Sequence, residues 1–353
     1  MQLRWQPLTL RLLHPFGLAH GVSETRDNVL VYVGGDDQEA AGVGEAAAVP
    51  YHGETPEGIM QYLRGIRLEQ LADPLQLEDV ITALPSGSAA ARAALDIALH
   101  DAWGRALDQP LYRLWGLNPA AIPPSSFTIP LGPLEQMSER VREADALILK
   151  LKLGSALLNE SALSDPDAER VRALRALTSV PLRVDVNGGW TRERALRLLP
   201  LLAELGVELV EQPLPAGDLE GLAQLSRLRE RPPIFVDESI KSSADVLAHR
   251  GLVEGVVIKL AKSGGIRGAR EQLTLARALG LEVMLGCMIE SSVAVTAAAH
   301  LAPLAQYVDL DGPLLIENDP FRGVRYERGQ LRLPERPGLG LLPALPQRLS
   351  PRP

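Results

Sequence analysis

Residues 147–154 read LILKLKLG, an apolar run that would serve as a buried strand but for Lys150 and Lys152. Side chains two apart on a strand share a face, so both ammonium groups point the same way. Of the 36 basic residues only five are lysine, at positions 150, 152, 241, 259 and 262. Arginine stays protonated, whereas a lysine with a lowered pKa can take a proton. A chain that otherwise uses arginine for positive charge places four of its five lysines in two short apolar runs, LILKLKLG and GVVIKLAKSGG (255–265).

Outward from that stretch, short apolar runs alternate with helical patterns. They are SFTIPLG (126–132), ALILKLKLG (146–154), LRVDVNGG (182–189), VELVEQPL (207–214), PIFVDESI (233–240), GVVIKLAKSGG, EVMLGCMIE (282–290) and YVDLDGPLL (307–315). Between them lie amphipathic stretches such as DPDAERVRALRAL (165–177) and TRERALRLLPLLAELG (191–206). Strands with repeated helical crossovers predict an α/β fold of the (β/α) barrel type rather than an open sheet. Residues 1–124 read differently, with strands at NVLVYVGG (28–35) and AAGVGEAAAV (40–49) and a long helix from Ser88 to about Gly104. The prolines of NPAAIPPSS (118–126) mark the boundary. The expected division is an α+β unit over 1–124, a barrel over 125–318, and a segment over 319–353 that packs back on the first unit and completes it.

Composition excludes several classes. With 46% apolar residues in 353 and a net charge of −8, the chain reads as an ordinary globular protein. Its arginines are scattered, without the basic patch a nucleic acid requires. No apolar run approaches the roughly 18 residues that cross a bilayer. The opening MQLRWQPLTLRLLHPFG is broken by arginines and prolines before an apolar signal region can form. The single cysteine, Cys287, excludes an internal disulfide and fits a reducing cytoplasm. Its apolar setting predicts a buried, inert thiol. A homo-oligomer is left open.

The strands are apolar at their starts and turn polar at their C-terminal ends. Those ends carry Lys150 and Lys152, then Asp185 and Asn187, Glu211, Asp237, Lys259, and finally Asp309 and Asp311. In a barrel they converge on the face where such enzymes place their chemistry. Asp185, Glu211 and Asp237 lie on consecutive strands and suit a hard divalent cation such as Mg2+, which takes oxygen ligands. A carboxylate substrate gives up its α-proton only where the developing charge is stabilised, and such a cation does this. A lysine near the cation and crowded by a second ammonium is expected to have a lowered pKa. Lys152 and Lys259, far apart around the barrel, would then stand on opposite sides of the substrate. That arrangement predicts 1,1-proton transfer, meaning racemisation or epimerisation.

With ARAALDIALHDAWG, KLK, DVNGGW, VEQPL, VDES and IKLAKSGG in that order, the chain resembles the enolase superfamily in its muconate-lactonizing subgroup. The resemblance implies an α+β capping domain on a modified (β/α)7β barrel. It implies Mg2+ on Asp185, Glu211 and Asp237, with Asn187 supporting them, Lys152 and Lys259 as the acid/base pair, and Lys150 holding the substrate carboxylate. Of the two lysines in IKLAK it favours Lys259, and Lys262 is expected to be an exposed loop charge. GCMIESS followed by DLDGPLL is similar to dipeptide epimerases. In these, the Asp309/Asp311 pair would grip the α-ammonium of an L-Xaa-D/L-Xaa dipeptide, and Glu290 would also border the substrate. The loop HPFGLAHGVSETRDN (14–28) would close over the pocket and read the C-terminal side chain through His20 and Arg26. His20 stands near where glutamate-specific relatives carry an arginine, a departure from their pattern. The residues also leave open an N-acylamino acid racemase, an o-succinylbenzoate synthase, a cycloisomerase, or a non-catalytic metal- or ligand-binding barrel.

Overall fold

The computed structural model describes residues 1–18, 21–34, 40–68, 76–154 and 165–344. Three antiparallel strands come first: β1 (Gln2–Leu18), β2 (Gly21–Gly34) and β3 (Ala40–Ala47), side by side in that order. The long β1 was not among the strands expected from the sequence, because Pro7 and Pro15 interrupt it. It forms as an edge strand, where a missing N–H costs no ladder bond.

The helix Ala89–Ala106 lies directly on β3. Ala94, Ala98 and Ala102 recur every fourth residue and make one small-residue face, while Gly42 and Gly44 make the matching strip of β3. The fit is close enough that a Cβ on Gly44 would overlap the Ala94 carbonyl and lie 3.0 Å from Ala98 N.

Eight parallel strands follow: β4 (Phe127–Ile129), β5 (Leu149–Lys152), β6 (Leu182–Asp185), β7 (Val207–Glu211), β8 (Ile234–Val236), β9 (Gly255–Ile258), β10 (Glu282–Gly286) and β11 (Tyr307–Asp309). Each pairs with the next in sequence, and helices fill the seven crossovers between them. Ser125 bridges Val308, and Ser126 N donates to Val308 O at 3.0 Å, which brings the first strand to the last. The barrel is therefore of the (β/α)7β kind, since β11 runs into a short turn, Gly312–Leu315, instead of an eighth long helix.

Two carboxylates of the first unit hold it over the barrel mouth. Buried Glu45 accepts from Ser291 N and Oγ and from Ala294 N, at the start of the helix Ser292–Ala299. Asp96 accepts from Ile266 N at 2.7 Å and Arg267 N at 3.3 Å, at the start of the helix Ile266–Ala278. Each satisfies orphan N–H donors and faces the positive end of a helix dipole. The β1–β2 hairpin is stitched to the chain beyond β11. Arg11 N donates to Asn318 Oδ1 at 2.7 Å, Glu317 N to Arg11 O at 2.9 Å, and Asn318 Nδ2 to Thr9 O at 2.8 Å. Further on, Leu339 N donates to Asp101 Oδ1 at 2.8 Å, on the helix Ala89–Ala106. Among the described residues no helix is long and apolar enough to cross a membrane.

The close approach at Gly44 is testable. Gly44→Ala should lower stability by about 1–3 kcal/mol through overpacking, read as a lower urea midpoint. Gly58→Ala, on an exposed helical turn with ordinary space around it, should leave the midpoint unchanged or raised. Equal midpoints for the two variants would contradict the packing account.

Candidate active site

Alternation along β5 explains its two lysines. Leu149, Leu151 and Leu153 belong to the main apolar core, so Lys150 and Lys152 occupy the other face, toward the barrel axis. The same rule builds two storeys inside the barrel. Leu209, Phe235, Val257 and Met284 form one buried apolar cluster, against which the partly buried Tyr307 packs. Two residues further along each chain stand Glu211, Asp237, Lys259, Gly286 and Asp309. The apolar storey is a floor, and the polar storey rests on it. Gly286 leaves room there for Lys259, whose Cε would lie 3.1 Å from a Cβ at that position.

Lys152, Asp185 and Glu211 are direct register partners across β5, β6 and β7. Lys152 Nζ is bonded to Asp185 Oδ2, and Lys150 Nζ to Asp309 Oδ2. Lys150 also stands 3.7 Å from Asp185 and 3.5 Å from Glu211. Across the barrel Lys259 Nζ donates to Asp237 Oδ2 at 2.8 Å. Asp309 Oδ1 accepts from Ser126 Oγ at 2.6 Å, and Asp311 Oδ2 from Thr128 N at 2.7 Å. Lys150, Lys152, Asp237, Lys259, Asp309, Asp311 and Asn187 all line one pocket at the strand ends.

Two residues just past the carboxylates adopt left-handed backbone, Asn187 with φ 48° and Gln212 with φ 40°. Such strain persists where the surroundings demand it, often at functional sites. Asn187 N caps Asp185 Oδ1 at 2.9 Å, and its Nδ2 reaches Glu238 Oε1 at 3.0 Å. Gln212 is fully buried, accepts from Asp237 N at 2.9 Å and donates to Ser239 Oγ at 3.0 Å. It ties the loop after β7 to the loop after β8. Gln212 and Glu238 were not singled out from the sequence, although each directly follows a residue that was.

Burial, and next the Asp185 charge, push the Glu211 carboxyl up to about 8. Burial and Asp237 push Glu238 up to about 7. Burial and then Asp309 push Asp311 up to about 6. Burial opposes ionisation of Asp237 too, but Lys259 and Lys262 outweigh it and hold that carboxyl below its ordinary range. Burial would lower Lys150 and Lys259, yet the surrounding carboxylates win and both are held well above the usual lysine value.

Both oxygens of Glu211 are buried without a hydrogen-bond partner, as is Glu238 Oε2. Among the described residues no three acidic, histidine or cysteine side chains are already drawn together as a closed ligand set; ammonium groups stand between the carboxylates instead. A donor set that is all carboxylate oxygen, with one buried member unsatisfied, fits a hard divalent cation. Asp185, Glu211 and Asp237 could hold it.

Three expectations change. Lys262 is buried, in the single helical turn Leu260–Ser263 that starts immediately after β9. Its ammonium bonds to Asp237 Oδ1, to Asp237 O and, at 3.3 Å, to Val257 O, which uses all three of its donors. Glu290 is not among the pocket-lining residues: it lies buried near Glu45, and burial with that neighbour's charge pushes it up to about 8. Cys287 is only partly buried and lines the pocket, with its thiol held protonated by burial and Asp311. His20 lies outside the described residues. Arg26, by contrast, does line the pocket, together with Phe16 of the same hairpin and Tyr51.

Residues 7–116 match the mandelate racemase / muconate lactonizing enzyme N-terminal domain, and residues 134–345 match the enolase C-terminal domain-like model. The chain belongs to this mandelate racemase / muconate lactonizing enzyme family of the enolase superfamily. It is 39% identical to an L-Ala-D/L-Glu epimerase of Bacteroides thetaiotaomicron, over 97% of this chain and 88% of that one. It is 37% identical to an L-Lys-D/L-Arg epimerase of Methylococcus capsulatus, over 94% and 95%. Its fold superposes on a dipeptide epimerase from Cytophaga hutchinsonii complexed with Mg and the dipeptide D-Ala-L-Val, with a TM-score of 0.88, 28% identity and coverage of 98% and 96%.

The unsatisfied Glu211 leads to a measurement. Glu211→Met should raise the melting temperature of chelator-treated protein, since an uncompensated buried carboxylate costs about 1–3 kcal/mol. The same variant should lose most of the stabilisation that a divalent cation gives the parent protein. A cation-induced shift in melting temperature equal to the parent's would exclude Glu211 as a ligand.

Proposed function

We propose that this protein is a Mg2+-dependent dipeptide epimerase, inverting the α-carbon of the C-terminal residue of an L-Xaa-L/D-Xaa dipeptide. The observation that carries this reading is the pair Lys152 and Lys259, on strands four places apart in an eight-stranded barrel, with a row of buried carboxylates between them. The relatives above, epimerases of dipeptides across nearly the whole chain, support it.

Asp185, Glu211 and Asp237 would hold Mg2+. When bound, the cation supplies the positive charge that makes a proton beside a carboxylate removable. The remaining work falls to the chain. One lysine, as neutral amine, takes the α-proton from one face, and the other, as ammonium, returns a proton to the opposite face; the reverse reaction exchanges their roles. Lys150 faces the substrate carboxylate. Asp311 receives the α-ammonium with Asp309 beside it. Because Asp309 is already engaged by Lys150 and Ser126, Asp311 is the carboxylate with charge to spare.

Excess EDTA should abolish epimerisation, and Mg2+ should restore it. Lys152→Ala and Lys259→Ala should each reduce epimerisation by about 10^2–10^4-fold, the usual loss for a general acid/base. Each variant should still exchange the α-proton of one enantiomer with D2O, of opposite hand in the two cases. Normal epimerisation by Lys259→Ala would reassign the base.

Acetylating the dipeptide's amine leaves the aspartates facing a neutral amide. Hydrogen bonds to charged groups contribute about 1.5–3 kcal/mol each, so kcat/KM should fall by at least about a hundredfold. Asp311→Ala should narrow that gap. Faster turnover of N-acetyl or N-succinyl amino acids than of any dipeptide would point instead to an acylamino acid racemase.

A further inference from the structure

One apolar side chain at the barrel mouth touches an ammonium group directly. Met288 stands two residues past Gly286, the last residue of β10, and lines the pocket. Its sulfur lies 4.0 Å from Lys259 Nζ and 3.8 Å from the Tyr51 hydroxyl. Tyr51 belongs to the turn Pro50–His52 of the first unit. The methionine also packs on Ala47 and Val49 of that unit and on Ala261 of the barrel, which fixes where the sulfur sits. Met137 and Met284, by contrast, are fully buried in apolar clusters.

A thioether is a weak, polarisable acceptor. It can meet an ammonium N–H and a phenolic O–H together without adding charge to the site. Lys259 has three N–H donors. One goes to Asp237 Oδ2 at 2.8 Å and one points toward the Met288 sulfur, which leaves the third for the substrate. The lysine stem is guided as well, since a Cβ on Gly286 would lie 3.1 Å from Lys259 Cε and 3.5 Å from its Cγ. The chain therefore clears a channel for the stem at Gly286 and closes its end with Met288. Among the described residues the sulfur meets Lys259 and no other lysine; on the opposite side the Lys152 ammonium is bonded to Asp185.

We infer that Met288 is a positioning residue for Lys259: its sulfur, braced by the Tyr51 hydroxyl, directs the ammonium into the pocket and so governs proton transfer on one face of the substrate. The inference rests on the dipeptide epimerase reading, in which Lys152 and Lys259 serve opposite faces. Met288 acts through the lysine and touches no reacting atom. A side chain that merely lines the pocket affects substrates of both hands. One that acts through Lys259 affects a single hand.

The test follows α-deuterium uptake in D2O by the Mg2+-loaded enzyme into recovered dipeptide that has not inverted. L-Ala-L-Glu, L-Ala-D-Glu, L-Ala-L-Leu and L-Ala-D-Leu are compared. Exchange without inversion is the readout because inversion in either direction needs both lysines. Lys259→Ala identifies the hand that Lys259 serves. Met288→Leu, close in volume, should slow uptake into that hand by about 10–100-fold and leave the other within about twofold, as expected when one reacting group is misplaced. Tyr51→Phe should slow the same hand by a smaller factor. In both variants the Mg2+-induced shift in melting temperature should match the parent's, so that fold and carboxylates are intact. Equal losses in the two hands, a loss in neither, or a diminished Mg2+ shift overturns the inference. In those outcomes the epimerase reading stands, because dipeptides still exchange. If the parent enzyme exchanges none of the four, both readings fall.

Discussion

The structure depends on a charged storey resting on an apolar floor inside a closed barrel. Isolated charges in such a place would cost several kcal/mol each. They are tolerated because each ammonium is set against a carboxylate: Lys152 against Asp185, Lys150 against Asp309 and Glu211, Lys259 and Lys262 against Asp237. Apart from the unsatisfied Glu211, no member of these pairs can be removed without leaving a partner buried and uncompensated. This interdependence explains why a chain so poor in lysine concentrates four of them here. It also explains why the loops that follow the strands accept strained backbone at Asn187 and Gln212, since those residues fix the carboxylates in orientation.

The first unit does a different job on the same mouth. Glu45 and Asp96 fasten it to two barrel helices by their N-termini, so its position is set by backbone donors that any sequence would supply. The parts reaching the pocket, Phe16, Arg26 and Tyr51, come from its hairpin and from the turn Pro50–His52. The lysines and carboxylates of the pocket thus sit on strand ends of the barrel, while Phe16, Arg26 and Tyr51 belong to a separate layer. A change in one layer can leave the other intact.

Much of this was legible in the sequence because it depends on alternation. A polar residue at the end of an apolar strand announces its face, and its neighbour two residues away confirms it. Thus KLK, DVN and DLD each placed a pair, and the eight runs placed the strands. What resisted reading depends on where the chain turns. Lys262 follows a strand and precedes two glycines, a context that suggests an exposed loop. One helical turn instead folds it back beneath Asp237. Glu290 lies four residues beyond the end of β10, past the point where the chain leaves the pocket. Arg26 could be noticed but not placed, because its direction follows from its pairing with Leu10 across a hairpin whose first strand is disguised by prolines.

The stitching of the β1–β2 hairpin to Glu317 and Asn318 has a consequence for how the protein comes into being. Strand β1 bonds to residues about 300 positions further along the chain. During synthesis its outer edge waits, unpaired, until those distant residues are made. Contacts this distant in sequence form late and slowly, and unpaired strand edges invite association with other chains in the meantime. The prolines that hide β1 from the sequence reader withdraw donors from that edge, so the feature that obscures the strand also guards it while the nascent chain is incomplete.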